Sequence, residues 1–179
     1  MIRPATLDDR GHFLRLWAKL LEGQYKDGSH VLPTLGNLYR CLDKFEAYVM
    51  GSQFGMCVFF EPPEARPVGV VMAGELAVPD EFETDLGKLA TLWGVYVEPE
   101  YRGQGIALKL FAKTLEMGLE RGFESVETYA RYSNPHGQRV AEAFGCEPYM
   151  KQYVARLRDP RVMKTEEAKK ALSREVTHG

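Results

Sequence analysis

The residues whose types and spacing could do chemistry lie in one stretch, Leu92-Trp93-Gly94-Val95-Tyr96-Val97-Glu98-Pro99-Glu100-Tyr101-Arg102-Gly103-Gln104-Gly105-Ile106-Ala107. It reads as an apolar strand, a tight loop with two glycines, and a helix start. A loop of this kind leaves several backbone N–H groups unpaired at the positive end of a helix dipole, and its glycines let anionic oxygens approach them closely. Arg102 adds a permanent charge at the rim. The chemistry this predicts is an anion site suited to a pyrophosphate. Two other phosphate loops fail on spacing. A Walker A motif needs Gly-Lys-Ser/Thr, but Ile106-Ala107 follows Gly105. A dinucleotide fingerprint needs a small residue three positions after its second glycine, and that position is Leu108. The plainer reading, a strand-to-helix turn whose glycines serve packing alone, leaves the coincidence of Arg102 with two glycines unexplained.

The elements around this stretch follow from hydrophobic period. A short extended segment at residues 2–5 leads to Thr6 and Asp9, spaced as a helix N-cap pair. Phe13, Leu16, Trp17, Leu20 and Leu21 then recur at helical spacing until Gly23, the expected stop. Residues 24–33 are polar and turn-rich, and a second helix starts from Thr34. Residues 56–60 and 68–73 form two apolar runs flanking a proline-rich turn, which predicts a hairpin. An acidic connection over 79–87 leads to a third strand, Leu89 to Val97. A helix runs from Gly105 to Gly122, a strand over 125–132, a helix from Asn134-Pro135 to Gly145, and a last strand over 149–157. The strand-helix-strand crossover about residues 105–122 requires two neighbouring parallel strands, whereas the earlier strands favour an antiparallel meander. The sheet is therefore mixed.

Composition bounds the rest. The chain has 179 residues, 45% hydrophobic and 27% charged, with 23 Lys+Arg against 25 Asp+Glu. This is enough for a single core, predicted as one domain over 1–157 with a charged helix or tail over 158–179. The formal net charge of −2 argues against nucleic acid as the main partner. No apolar stretch is long enough to cross a membrane and the first residues lack a signal-peptide core, so the expected location is the cytosol. Cys41, Cys57 and Cys146 are too few and too scattered for a disulfide framework or a zinc knuckle, and His30 and His136 have no metal-ligand spacing. No metal is expected.

The stretch about Arg102 resembles the V-x-P-x-x-R-G-x-G-I-G/A signature of the GNAT superfamily of acetyl-CoA-dependent N-acetyltransferases, with Arg102, Gly105 and Ala107 at its R-x-x-G-x-G/A positions. The element order resembles that family from Ile2 to about Leu157. The resemblance implies an α+β fold, an α/β/α sandwich whose mixed, mostly antiparallel sheet has about six to seven strands. It implies that Arg102, Gly103, Gln104, Gly105, Ile106 and Ala107 hold the pyrophosphate of coenzyme A, and that Val95 and Val97 pair with its pantetheine arm like a further strand. Residues 134–145 resemble the second family motif, which makes Asn134 a cofactor contact. Where many relatives carry an acid tyrosine, this chain has Ala141.

The implied activity is acetyl transfer from acetyl-CoA to a primary amine by direct attack in a ternary complex. A backbone N–H near Val95 would meet the oxyanion. The acceptor is a small-molecule or peptide amine, and the reading leaves room for a homodimer. A different acyl donor, or a CoA-binding module without turnover, are the competing readings. An amine of pKa near 10.4 is unprotonated in only about one molecule in 2,500 at pH 7, so a base or a water relay is needed. The strand position that relatives fill with glutamate falls among Thr91 to Gly94, none acidic. Glu75 is the nearest carboxylate, ahead of Glu81, Glu83 and Asp85. For the acid, Tyr132, Tyr129 and Tyr149 are the substitutes. His30 lies in a loop that would border the acceptor.

Overall fold

The computed structural model describes residues 1–29, 31–51, 55–63, 66–75, 87–131 and 133–148. The chain divides into two compact units, Met1–Cys146 and Glu147–Gly179. The architecture below is that of the first. Its order is β1 (Ile2–Pro4), α1 (Arg10–Lys26), α2 (Leu35–Val49), β2 (Gly55–Phe60), β3 (Gly69–Glu75), β4 (Leu89–Val97), α3 (Ile106–Glu120), β5 (Ser125–Thr128) and α4 (Pro135–Glu142).

One sheet runs in the order β1-β2-β3-β4-β5, antiparallel except for the parallel β4–β5 pair that closes the crossover through α3. The mixed α+β sandwich is as expected. The strand count is five among the described residues, fewer than six to seven, and the expected strand over 149–157 lies outside them.

Strand alternation sorts the core into two layers. Val58, Val71, Ala73, Ala90, Leu92 and Val97 face α3, where they meet Ile106, Leu110 and Phe111. Cys57, Phe59, Val70 and Met72 face the other way, onto Phe13, Leu16, Trp17 and Phe45 of α1 and α2. Each of these large side chains contributes about 1.5–3 kcal/mol by leaving water. Burial pushes the Cys57 thiol pKa up, so this cysteine is an inert part of the core.

Several boundaries differ from expectation: α4 ends at Glu142 rather than Gly145, β3 runs to Glu75, and α1 and β5 differ for identifiable reasons. Helix α1 continues past Gly23 to Lys26, because an internal glycine costs a helix only about 1 kcal/mol and the preceding turns are anchored by Phe13, Leu16, Trp17 and Leu21. Strand β5 stops at Thr128 rather than at residue 132, because its partner β4 stays beside it only to Leu92. At the start of α1 the Thr6–Asp9 pair forms a short 3₁₀ turn, in which Asp9 accepts from the Thr6 N–H at 2.8 Å and from its hydroxyl at 3.0 Å. Arg3 grips the same carboxylate with both Nη atoms, at 2.7 and 2.8 Å. Burial would raise the Asp9 pKa, but Arg3 and Thr6 outweigh it and hold the carboxyl below its usual value.

Candidate active site

Strand β4 is two strands in one. Along β3 it is paired from end to end, Gly69 with Val97 through Glu75 with Ala90. Along β5 only Leu89 to Leu92 are paired, opposite Ser125 to Thr128. From Trp93 onward its other edge has no strand beside it among the described residues. The separation begins at a bulge, where Met72 opposes Gly94 and Ala73 opposes Leu92, leaving Trp93 as the extra residue.

Which groups face the open edge follows from one hydrogen bond. The Glu98 N–H donates to the Val68 carbonyl at 2.8 Å, toward β3. Extended backbone alternates, so the N–H groups of Val97 and Val95 point the opposite way, to the open edge. The Val97 carbonyl points there too and accepts from Arg102 Nε at 2.9 Å. Val97 therefore offers an N–H and Val95 offers both of its backbone groups. Arg102 is exposed, and besides strapping the loop to the strand end its guanidinium lies 5.6 Å from the centroid of the Tyr96 ring.

The loop itself is held from below. Glu98 is buried and ion-paired to Arg15 and, at 2.6 Å, to Lys19, both from α1. Burial opposes its charge, but Lys19 and Arg15 outweigh it and keep the carboxyl below its usual pKa. A 3₁₀ turn, Pro99–Tyr101, follows, and the Arg102 N–H closes it onto the Pro99 carbonyl at 3.2 Å. Then the backbone opens. Gly103 at φ +79° and Gly105 at φ +70° are left-handed, a conformation that costs side-chain-bearing residues about 1–2 kcal/mol. Gly105 is the N-cap of α3 and supplies no side-chain cap. Lys109 is the first residue of α3 whose N–H finds a carbonyl, that of Gly105 at 3.0 Å. Among the described residues the N–H groups of Gly103, Gln104, Gly105, Ile106, Ala107 and Leu108 have no acceptor. A Cβ built on either glycine meets no atom within 4 Å, so the donors open onto free space. Six donors at a helix N-terminus, in line with a free strand edge, fit a pyrophosphate carrying an extended amide arm.

Of the other candidates, Asn134 is the N-cap of α4, and its Oδ1 accepts from the Gly137 N–H at 3.0 Å. Its amide nitrogen has no partner among the described residues. Ala141 is buried on the inner side of α4 and carries no exchangeable proton. Glu75 ends β3, opposite Ala90, on the α3 side of the sheet, and its Oε2 is buried with no partner among the described residues. It lies at the other end of β3 from the strand end that carries the loop. Tyr132, His30, Glu81, Glu83, Asp85 and Tyr149 lie outside the described residues. His136 is exposed beside Arg139. Among the described residues no group of three His, Cys, Asp or Glu could hold a metal ion, and no helix is long and apolar enough to cross a membrane.

The bulge at Trp93 is not legible in residue order, because a bulge is a property of register between strands. Nor is the position of Glu127 on β5, whose Oε1 accepts from the Thr91 hydroxyl at 2.8 Å and from the Tyr129 hydroxyl at 2.8 Å. Alternating side chains on β5 gave no sign that Glu127 would meet a residue of β4.

This fold, with a splayed fourth strand running into a glycine loop, is that of an acetyltransferase. The pattern of the Acetyltransferase (GNAT) family matches residues 29–146, and the chain belongs to that family. It is an acetyl-CoA-dependent N-acetyltransferase. It is 32% identical over 124 residues to a thialysine N-epsilon-acetyltransferase of Sus scrofa, covering 68% of this chain and 69% of that one. With the Bos taurus protein of the same name it is 30% identical over 149 residues, covering 82% and 84%. Its fold matches that of AAC(6')-Iy in complex with the bisubstrate analog CoA-S-monomethyl-acetylneamine, with a TM-score of 0.67 at 18% identity over 88% of this chain and 97% of that one.

Proposed function

We propose that the N–H groups from Gly103 to Leu108, with Arg102 beside them, bind the pyrophosphate of acetyl-CoA, and that Val95 and Val97 bind its pantetheine arm through their open-edge backbone groups. The observation that carries this is the run of six donors that have no acceptor among the described residues, at the end of a strand that is half-paired among them. The Val95 N–H then lies beside the thioester carbonyl and stabilises the charge that develops on its oxygen during attack. Acetyl-CoA supplies the activated acyl group and a thiolate leaving group. Asn134 contributes its amide nitrogen, unpartnered among the described residues, as a second cofactor contact while its oxygen caps α4.

The acceptor in this reading is a small primary amine of the ω-amino-acid kind that gives the named relatives their name, thialysine. Deprotonating such an amine is assigned to Glu75. Glu75 and Val95 are separated by about five residues of β4, or roughly 16 Å at a strand's rise per residue, so this transfer runs through water rather than by direct contact. Tyr132 is the group assigned to return a proton to the thiolate. A cytosolic setting is supported by three cysteines that are all free thiols.

The test is calorimetry with CoA followed by thiol release from acetyl-CoA in the presence of thialysine. The wild type binds CoA and turns thialysine over, and Gly105→Val binds CoA about 100-fold more weakly. Equal CoA affinity in both proteins would remove the loop from the reading. In the same assay Glu75→Gln lowers turnover more at pH 7 than at pH 10, and an equal loss at both removes Glu75 as the base.

A further inference from the structure

Two left-handed glycines leave the donor loop with little backbone preference of its own. Among the described residues neither Gly103 nor Gln104 donates a backbone hydrogen bond. Where the donors stand is therefore set at the two ends of the loop. One end is α3, packed on the sheet through Ile106, Leu110 and Phe111. The other is Glu98, the last residue before the 3₁₀ turn that leads into the loop.

Every polar group of Glu98 is taken. Its N–H donates to the Val68 carbonyl at 2.8 Å, and its carbonyl accepts from the Tyr101 N–H at 3.0 Å. Oε1 accepts from Arg15 and Oε2 from Lys19 at 2.6 Å, so two cations one turn apart on α1 hold separate oxygens of one carboxylate. Arg15 also donates to the carbonyl of Pro67, the neighbour of the Val68 that takes the Glu98 N–H. The strand end is thus fixed to α1 and to the start of β3 at once, by a side chain that is only 7% exposed.

Charge gives no reason for a carboxylate here. A negative group near an anion site repels the anion, and removing it would leave the positive charges of Arg15 and Lys19 uncompensated. What Glu98 supplies is position. A site gains affinity when its donors are held in the bound geometry before the ligand arrives.

We propose that Glu98, gripped by Arg15 and Lys19, is a positioning residue for the acyl donor: it fixes the donor loop to α1 and so sets the affinity for the phosphate-bearing half of acetyl-CoA. The proposal rests on the pyrophosphate reading of that loop. No contact with substrate and no proton transfer is assigned to Glu98.

The experiment is calorimetry with CoA on wild type, Glu98→Gln and, as the structural control, Asp9→Asn, which loosens another buried carboxylate from its arginine away from the loop. Position and charge predict opposite signs. Loss of position weakens CoA about 10-fold in Glu98→Gln, whereas loss of a negative charge alone would tighten it. Asp9→Asn keeps the wild-type affinity. In the thiol-release assay with thialysine, Glu98→Gln raises the KM for acetyl-CoA by the same factor and leaves kcat unchanged. With S-acetylpantetheine, a donor without the pyrophosphate, its kcat/KM equals that of the wild type; where this donor is not turned over, CoA calorimetry decides alone. Unchanged or tighter CoA binding in Glu98→Gln, an equal loss of affinity in Asp9→Asn, or an equal loss with S-acetylpantetheine overturns the proposal. Should Glu98→Gln fail to fold, Lys19→Gln, which removes the more exposed partner, takes its place. A CoA affinity lowered about 3-fold, by the same factor at low and high salt, supports the proposal, and no loss or a loss confined to low salt overturns it. A wild type that does not bind CoA removes the pyrophosphate reading itself, and this proposal with it.

Discussion

The N-termini of α3 and α4 receive the chain in opposite ways. Helix α4 is closed by its own sequence: Asn134 sits at the N-cap, its side chain takes the Gly137 N–H, and Pro135 follows at the first position, where it has no N–H to leave unsatisfied. Helix α2 is closed likewise by Thr34, which accepts from Asn37. Helix α3 has at the same place a left-handed glycine with no side chain to swing over the first turn. Glycine in place of a capping side chain costs a helix only about a few tenths of a kcal/mol, so the start of α3 stays open at little expense in stability. The contrast separates a helix start whose first-turn donors are met within the chain from one whose donors have no acceptor among the described residues.

The largest effect should come from closing the open start. Gly105→Val forces a β-branched residue into φ +70° and places bulk where an anion would lie. CoA affinity is expected to fall about 100-fold, or about 2.7 kcal/mol, by calorimetry. Next in size is a change to a start that is already satisfied. Asp9→Asn breaks the grip of Arg3 on the turn before α1 and should cost about 2–3 kcal/mol in denaturant unfolding, with CoA affinity intact. The native carboxyl has a depressed pKa, so its contribution is present above the unfolded value of about 4 and is lost as pH falls through the folded one. Wild type and Asp9→Asn should therefore converge in stability on acidification below pH of about 4. If they stay parallel, the Arg3–Asp9 contact is not the source.

Arg102→Ala removes both the strap on Val97 and a charge, and should weaken CoA about 10-fold, more at low salt than at high salt. A loss independent of ionic strength would leave only the strap. The smallest effect sharpens the comparison from the capped side. Asn134→Ala should cost about 1 kcal/mol of stability through the lost cap and a few-fold in CoA affinity through the lost amide. A stability loss with unchanged affinity would make Asn134 a cap and nothing more.

Much of this was legible in residue order. Leu89 to Val97 reads as a strand because its apolar run is bounded by a glycine and an acidic turn, and it is one. Thr34 announces the start of α2 by the same chemistry that makes it a cap. The glycine loop is legible because its conformation depends on the local residue types. What sequence could not disclose depends on register. Nothing in Ser125 to Thr128 says that pairing with β4 ends at Leu92, nothing in Trp93 says that it is the extra residue of a bulge, and Glu127 meets Thr91 only because two strands 36 residues apart align one way. Gly23 misleads for the reverse reason, since the packing of the preceding turns overrides a weak local preference.

The half-paired β4 also bears on how the protein behaves without its substrate. Among the described residues its outer half has no strand beside it, and the free backbone groups of Val95 and the Val97 N–H make the kind of edge on which a second chain can add a strand. On the proposed reading, a donor molecule that lays its amide arm along that edge would serve as a reversible strand of the sheet and shield it. Substrate supply and protein lifetime are thereby linked: at a ligand concentration of 100 times Kd the folded state gains about 2.7 kcal/mol. A cell rich in acetyl-CoA would thus keep this chain folded and monodisperse by the same contacts through which the chain uses it.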